Sequence, residues 1–448
     1  GMKNRKIMIG YLFCMLFFAC SQSIELDQPL AVEKQEQGET HLQIAITRTS
    51  EDNLVEIKSG ILILVDYRNS EEWYVEDKIQ FTSEDLKEGT LSLVTKACKG
   101  EYKMLVIANP TKEMKDKILK SSEPWNIEYP FTREQVDDPG ELLNVFSNTM
   151  EDFTNNSNQI NIEYQSEDNP IKVSLRLKRI LACFYLEDYV GYVTDRVNPD
   201  MNVDNIQFKL DGFHLLTVPN GFYLWERWGL LNEADPNSYF PFSVYKKKET
   251  SLGVIYKYSN VLVKGGKQYA VDWNSNFNPE ERFGKGPFYM PDNFALTYMP
   301  SKNEYVAYQC KTTELIIRLK AEKTFYSHKY TNEGPIYIRK EEDKSASVIF
   351  ENKEGYMYLT YVFRDPNHKK RYNDKEDLYP SVFRGTKYTI TFNQIRSYGG
   401  NFPRNDMDRY NVDRDLYNVL GELTNNLSTR VKQGDFLELA IDAQPWSE

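Results

Sequence analysis

Short stretches in which hydrophobic and polar residues alternate recur along the chain and predict β-strands. In His41–Thr47 the apolar positions fall on one side of an extended chain, which is the period-two pattern of a half-buried strand. They are Leu42, Ile44 and Ile46. Leu91–Ala97 alternates in the same way, Ile61–Val65 is a continuous apolar run, and Tyr102–Ala108 ends at the turn signal Asn109-Pro110. The first third of the chain is therefore expected to be mainly β-structure.

Helical periodicity is clearest between about Thr132 and Met150. Its apolar side is formed by Leu142, Leu143, Val145 and Phe146. Pro139-Gly140 must interrupt or precede the helix, because proline removes a backbone donor and fixes φ. We expect one short helix in this part of the chain, followed by a strand at Ile160–Tyr164.

A cluster of polar residues and proline at Ser166–Pro170 predicts a domain boundary. Strand-like segments continue after it almost without helical periodicity: Val173–Lys178, Ile180–Leu186, Gln207–Leu210, Ser251–Tyr258, Leu315–Lys320, Gly355–Phe363, Lys387–Phe392 and Phe436–Ala443. Many short strands separated by turn signals predict an all-β protein built of β-sandwiches. We expect an N-terminal domain over 38–168 and a C-terminal domain over 169–448, the latter with a long polar excursion at 399–433.

The N-terminus has the pattern of a bacterial export signal. Basic residues precede an apolar run, Ile7–Ala19, that is too short to span a bilayer. Cys20 directly follows the small residue at the end of this run, as in the lipobox, where the cysteine is acylated and becomes the new N-terminus. The alternative is an ordinary secretory signal with an incidental cysteine. We expect a signal peptide over 1–19, a linker over 20–37, and a lipid anchor instead of a membrane span.

Charge and cysteine usage narrow the class of protein. The net charge of −11 and the isoelectric point of about 5.2 argue against nucleic acid as a partner. Beyond the signal and the lipobox, the sequence contains only Cys98, Cys183 and Cys310. An odd number of widely spaced cysteines predicts buried thiols, not a disulfide framework. The 31 tyrosines and 24 phenylalanines, against four histidines, suit β-structure better than metal chemistry.

No motif for catalysis or metal binding stands out. HExxH, CxxC, P-loop and GxSxG motifs do not occur in the sequence. The four histidines, His41, His214, His328 and His368, lack ligand spacing, and the aspartates of Asp406–Asp415 lie among arginines with spacing that misses an EF-hand loop. We therefore expect no catalytic, cofactor-binding or metal-binding residues, and a protein that is not an enzyme.

One aromatic segment could bind a ligand or another protein. Phe222–Trp228 reads Phe-Tyr-Leu-Trp-Glu-Arg-Trp, and flat aromatic rings beside polar groups suit the recognition of sugars or proteins. The alternative is a core strand with a covering loop, which we favour. Trp225 and Trp228 are the candidate adhesive aromatics if the first interpretation holds.

Five segments and the lipobox occur in an order that is similar to that of one known family. The segments are Tyr102–Asn109, Lys178–Ala182, Phe288–Asn293, Tyr379-Pro380 with Arg384–Thr391, and Leu437–Trp446. Together they resemble the fimbrillins, the type V pilins of Bacteroidales bacteria, over nearly the whole mature chain. The third segment resembles the family's FYxxEN motif, with Asp292 where Glu is usual.

The resemblance implies two tandem transthyretin-like β-sandwich domains in a fimbrial subunit of the outer membrane surface. Members are exported as lipoproteins, and an arginine-specific protease trims shaft subunits. Arg48 is the matching position, directly after the first alternating strand. Trimming leaves a groove that a strand of another subunit fills. The C-terminal strand is our donor candidate, because one of its faces is apolar at every second position: Leu437, Leu439, Ile441 and Ala443.

The expected partners are other fimbrial subunits, a host or bacterial surface receptor, and the outer membrane through the lipid. The sequence leaves open a role as shaft, tip or anchor subunit. An alternative from another class is a surface glycan-binding lipoprotein of a nutrient-uptake system, which would share the lipobox, the sandwiches and the aromatics. An extracellular hydrolase is a third possibility, but the sequence contains no motif that supports it.

The lipobox generates a first prediction. Replacing Cys20 by Ser should release the precursor from membranes, since each buried acyl CH₂ contributes about 0.8 kcal/mol to membrane binding. Membrane fractionation and palmitate labelling of cells that express either form check this. A Cys20→Ser protein that still labels and sediments with membranes would show that the cysteine is incidental.

Overall fold

The computed structural model describes most of the chain from Gly38 onwards. The described residues are 38–48, 55–67, 72–132, 134–149, 158–193, 204–216, 218–219, 221–226, 261–264, 267–270, 283–294, 296–299, 304–307, 313–330, 336–352, 355–372, 375–379, 381–396 and 437–446. Cys20, Trp228, Cys310, the predicted strand Ser251–Tyr258 and the polar excursion 399–433 lie outside them. No helix among the described residues has the length and hydropathy needed to cross a membrane.

The described residues form an all-β structure, which confirms the predicted fold class. The strands are β1 (Thr40–Arg48), β2 (Ser59–Asp66), β3 (Tyr74–Thr82), β4 (Leu86–Lys87), β5 (Thr90–Thr95), β6 (Gly100–Ala108), β7 (Glu128–Pro130), β8 (Phe146–Ser147), β9 (Gln159–Ile162), β10 (Ile171–Arg179), β11 (Leu181–Leu186), β12 (Val190–Tyr192), β13 (Gln207–Leu216), β14 (Gly221–Tyr223), β15 (Val261–Lys264), β16 (Lys267–Ala270), β17 (Phe288–Pro291), β18 (Asn293–Phe294), β19 (Leu296–Met299), β20 (Glu304–Ala307), β21 (Glu314–Ala321), β22 (Phe325–Lys329), β23 (Ile336–Arg339), β24 (Val348–Asn352), β25 (Tyr356–Val362), β26 (Asp365–Tyr372), β27 (Lys375–Tyr379), β28 (Ser381–Val382), β29 (Thr386–Ile395) and β30 (Leu437–Pro445).

The α-helix of the N-terminal half lies outside the stretch in which the sequence predicts it. Helix α1 spans Lys112–Lys120, begins at the N-cap Thr111 and buries only Met114 and Ile118. Two buried residues give too weak a periodicity to stand out. Within the predicted stretch, the chain forms 3-10 turns at Glu134–Val136 and Gly140–Asn144 and then strand β8. Leu142, Val145 and Phe146 are buried there and Leu143 is partly buried, but they do not lie on an α-helix.

Nine strands of the N-terminal half form one sheet, in the order β3-β2-β6-β8-β10-β1-β5-β4, with β9 paired to β6. Strand β1 lies inside this sheet, parallel to β10 and antiparallel to β5. Residues on the inner face form one hydrophobic core: Leu42, Ile44, Leu62, Leu64, Leu91, Leu93, Tyr102, Met104, Val106, Leu175 and Leu177.

The continuous apolar runs are buried on both faces of the sheet. In β2, Leu62 and Leu64 point into this first core. The alternate residues Ile61 and Ile63 pack into a second core together with Trp125 and residues of α1. Successive side chains of a strand point to opposite faces, so a run without alternation is the expected signature of a strand that is covered on both sides.

The C-terminal half forms a second sandwich with additional strand pairs. Its four-stranded sheets have the orders β17-β11-β29-β30 and β12-β13-β21-β25. Phe184 of β11 stacks on Tyr388 of β29 at 5.0 Å between ring centroids and meets Phe363 edge-on at 5.2 Å. A further sheet has the order β16-β15-β24-β22-β23, and two-stranded pairs are formed by β14-β7, β18-β28, β19-β20 and β26-β27.

The change from the first sheet to the second takes place at a single residue. Strand β10 pairs with β1, and after Ile180 the chain continues as β11, which pairs with β17 and β29. The polar cluster at Ser166–Pro170 forms the turn between β9 and β10, two strands of the first sheet. The expected division at 168/169 lies between two strands of that one sheet, because a polar connection inside a sheet has the same composition as a linker.

Candidate functional site

Strand β1, which ends at the candidate processing residue, is a central strand of the first sheet. Leu42 and Ile44 are fully buried, and Ile46 packs against the same core. In register, Ile44 stands opposite Val173 of β10 and Leu91 of β5. Removal of β1 would leave the backbone groups of both neighbours without partners and open a groove over the first core.

Arg48 is the last residue of β1 and is paired in register with Leu177. Its guanidinium group donates to the carbonyl of Val55 and lies 5.5 Å from the ring centroid of Phe146. A protease that recognises arginine would have to withdraw the side chain from both contacts. The structure thus places the candidate cleavage residue at the strand end, partly buried.

Strand β30, the donor candidate, lies at the edge of its sheet. It pairs antiparallel with β29, and the described strands end there in the sheet order. Leu437 and Ala443 are buried, whereas Leu439 and Ile441 are only partly buried. On the outer side, the amide nitrogen of Asn367 donates to the carbonyl of Ala443 at 2.8 Å, which covers part of the open edge.

Trp446 anchors the end of β30 at the junction between the two sandwiches. Its backbone N–H donates to the carbonyl of Gly385 at 2.8 Å, and its indole ring stacks on Tyr289 with centroids 5.7 Å apart. The Arg179 guanidinium lies 4.7 Å from the Trp446 ring and 5.2 Å from the Phe146 ring. Arg179 therefore links the end of the C-terminal strand to the first sheet by cation–π contacts.

The described part of the aromatic segment, 222–226, is buried in the core. Strand β14 pairs with β7 of the N-terminal half, and Phe222 meets Tyr129 edge-on at 5.8 Å. Trp225 has no exposed surface, and its indole N–H donates to the carbonyl of Val106 at 3.0 Å. For Trp225, the structure agrees with the interpretation as a core residue, because a fully buried ring has no surface available for adhesion.

Arg384 is a charged side chain at the same junction, and only 1% of it is exposed. Its Nε donates to Oδ1 of Asp292 at 2.7 Å. Its terminal nitrogens donate to the carbonyls of Tyr223 at 2.6 Å and Leu224 at 2.8 Å. The hydroxyl of Ser147, on β8 of the first sheet, lies 3.4 Å from Nη1. One guanidinium group thus joins the second sandwich, the aromatic segment and the first sheet.

A second ion pair lies next to this network. Nζ of Lys178 lies 2.9 Å from Oε2 of the buried Glu226. Burial raises the pKa of Asp292 to about 6; the Arg384 guanidinium acts against this, and the Glu226 charge adds to it. The junction therefore buries the carboxyl groups of Asp292 and Glu226 beside one arginine and one lysine, and Oε1 of Glu226 has no hydrogen-bond partner among the described residues.

The sequence did not predict this junction. Asp292 and Arg384 both lie in segments that carry the family resemblance, but nothing in the local pattern pairs residues 92 positions apart. An acidic residue in the apolar segment Phe288–Asn293 was the available signal, since a buried carboxylate requires a cationic partner.

The thiols and ionisable groups show no constellation for metal binding among the described residues. Cys183 is a free, buried thiol whose pKa is raised to about 12 by burial, as expected for a structural cysteine. Cys98 is also free but only partly buried, which corrects the expectation of burial at this position. It lies in the short connection after β5, where the chain approaches the surface.

Comparisons with known proteins give matches only among solved structures. No protein-family model matches the chain, and no curated protein matches it. A candidate cell adhesion protein from Parabacteroides distasonis is similar with 13% identity and a TM-score of 0.49, over 91% of this chain and 99% of that one. The C-terminally truncated tip fimbrial protein Mfa3 from Porphyromonas gingivalis is similar with 12% identity and a TM-score of 0.38, over 91% of this chain and 100% of that one.

The burial of Trp225 gives a prediction about stability. Trp225→Ala should lower the free energy of unfolding by about 3–5 kcal/mol, because it leaves a large cavity at the junction. Denaturant unfolding measures this. As a control, Tyr192→Ala removes an aromatic ring that is 45% exposed and should cost no more than about 0.5 kcal/mol. Equal and small losses in both variants would contradict the core assignment.

The raised pKa of Asp292 gives a prediction about pH. Because the carboxyl binds its proton more tightly in the folded state, its contribution to stability is present below its unfolded pKa and is lost as pH rises through about 6. The stability of the wild type relative to Asp292→Asn, measured by denaturant unfolding, should therefore fall between about pH 4 and pH 6 and stay constant above. A difference that grows over this interval would mean that Arg384 outweighs burial.

Proposed function

We propose that this chain is a subunit of an adhesive cell-surface fimbria, assembled by trimming after Arg48 and by donor-strand exchange. The observation that carries the proposal is the contrast between the two end strands. Strand β1 is central and covers a hydrophobic core, whereas β30 is an edge strand with an apolar face of the same period. Loss of the first would create an acceptor groove, and the second has the form of a donor.

The groove left by β1 would bind a strand through two walls. Strand β5 would offer antiparallel and β10 parallel hydrogen bonding to a strand that runs like β1, so both edges of the incoming strand would be satisfied. Each side chain that fills the position of Leu42 or Ile44 would contribute roughly 1.5–3 kcal/mol of burial. Together with the ladder, three or four such residues make a long-lived joint between subunits.

The burial pattern of β30 favours its transfer. Leu439 and Ile441 are only partly buried in their own sheet, so burying them completely in a groove is a net gain of apolar contact. A shift of register by one residue would point Glu438 and Asp442 into the core, so the pairing is specified by the pattern. The contacts of Asn367 and Trp446 hold the strand in place before assembly and must break before it can leave.

The proposed location is the outer membrane surface, with Cys20 carrying the lipid and other fimbrial subunits as partners. A surface receptor of host or bacterium would be met by parts of the fibre other than Trp225. The glycan-binding alternative rested in part on the aromatic segment, and the burial of Phe222 and Trp225 weakens that part of its support.

Assembly is tested with the purified precursor and an arginine-specific protease. Wild type should be cut after Arg48 and form ladders of oligomers on native gels. Arg48→Lys should stay uncut at this site and monomeric, whereas the matched control Arg176→Lys, at an exposed position of the neighbouring β10, should behave like wild type. Ladders from uncut Arg48→Lys would show that trimming is not required.

The donor role is tested on the same trimmed material. Ile441→Glu places a charge on the apolar face of β30 and should abolish the ladders while cleavage continues. Ala440→Glu changes the exposed face of the same strand and should leave them intact. Normal ladders from Ile441→Glu would exclude β30 as the donor without excluding trimming at Arg48.

A further inference from the structure

His328 is a fully buried titratable residue on β22, in the five-stranded sheet. Its ring stacks between those of Tyr326 and Tyr330, two positions before and after it, at centroid distances of 5.9 and 6.2 Å. Alternation along the strand brings these three side chains to one face. They belong to neither β1 nor β30, so the stack is separate from the proposed assembly strands.

The turn between β23 and β24, residues 340–347, closes over this ring. The backbone N–H of Asp343 donates to Nε2 of His328 at 2.8 Å. The hydroxyl of Tyr330 donates to the Asp343 carboxylate at 2.6 Å, and the hydroxyl of Ser347 donates to the carbonyl of Tyr330 at 2.5 Å. Of these three hydrogen bonds, the one to Nε2 of His328 is the bond whose acceptor can bind a proton near neutral pH.

The hydrogen bond fixes the protonation state of the ring. Nε2 accepts a hydrogen bond, so the neutral imidazole carries its proton on Nδ1, and Nδ1 has no hydrogen-bond partner among the described residues. A second proton would make the ring an imidazolium, in which both nitrogens are donors and neither can accept a hydrogen bond. The Asp343 N–H would then face an N–H instead of a lone pair.

The charges around the ring shift the pKa of His328 in both directions. Burial lowers the pKa of His328 from its ordinary value; the Asp343, Glu342 and Asp204 carboxylates act against this, and the Arg339 guanidinium adds to it. Arg339 is itself paired with Asp204 at 3.4 Å. Hydrogen bonds from Tyr330 and Ser345 hold the pKa of Asp343 at about 2, so its carboxylate stays ionised while the histidine titrates.

We propose that His328 is a pH-sensitive latch, and that uptake of a solvent proton on its Nε2 releases the 340–347 turn from β22. In the released state the imidazole meets water and its pKa returns to the ordinary value of about 6.5. The released state therefore binds more protons as pH falls below that value, and the turn is docked above it. Between the two pKa values, docking weakens by up to about tenfold per pH unit.

Hydrogen exchange of the full-length protein tests the latch. After correction for intrinsic exchange rates, amides of residues 340–347 should lose protection between pH 7 and pH 5, by at most about tenfold per pH unit. Amides of β29 should keep theirs. His328→Gln retains an acceptor that does not titrate and should make the protection of the turn independent of pH. His41→Gln, a matched change on β1, should keep the wild-type response.

Two results would overturn the latch. One is unchanged protection of the wild-type turn over this pH range, and the other is an equal pH dependence in His328→Gln. If that variant does not fold, an NMR titration of the four histidines in wild type decides. One imidazole must titrate below its ordinary value together with the shifts of the turn amides. Four titrations at or above that value would contradict the proposal.

Discussion

The buried guanidinium group of Arg384 is the interaction on which the arrangement of the two sandwiches depends. A charge that is removed from water is tolerated only when every donor meets an acceptor. Here the acceptors come from different parts of the chain: Asp292 beside β17, and the carbonyls of Tyr223 and Leu224. The Asp292 pair lies within the second sandwich and would survive a displacement of the two sandwiches. The Tyr223 and Leu224 carbonyls, next to β7 of the first half, and the Ser147 hydroxyl would be lost, which would leave donors of a buried charge unsatisfied.

Chain connectivity reinforces this constraint. Strands β10 and β11 are separated by Ile180 alone. Each of them pairs in parallel with a strand that matters for the proposed assembly. β10 is parallel to β1, and β11 is parallel to β29, the strand that holds β30. A short, continuous extended segment therefore contributes both to the wall of the proposed acceptor groove and to the sheet that stores the proposed donor. No flexible linker separates the two sheets at this point of the chain.

The sequence predicted those features that depend on local pattern. Apolar residues at every second position in Leu42–Ile46 and in β30 predicted these strands and the face that each one buries. The unbroken apolar run Ile61–Val65 indicated a strand that is buried on both sides. Features that depend on distant pairing were not accessible. The turn at Ser166–Pro170 looks like a linker because turns and linkers share polar residues and proline, and α1 was missed because only Met114 and Ile118 mark its inner face. The Arg384–Asp292 pair is visible only when the fold has brought the two segments together.

The position of Arg179 connects the stored C-terminal strand with the groove. Its guanidinium group lies against both Trp446 and Phe146, and Phe146 also contacts the guanidinium of Arg48 at the end of β1. Removing β1 would take one of the two arginines from the Phe146 ring and give water access to that ring. Because cation–π contacts weaken as water gains access, the hold on Trp446 would loosen at the same time. Trimming at one end of the chain would in this way favour release of the strand at the other end, although the two strands belong to different sheets.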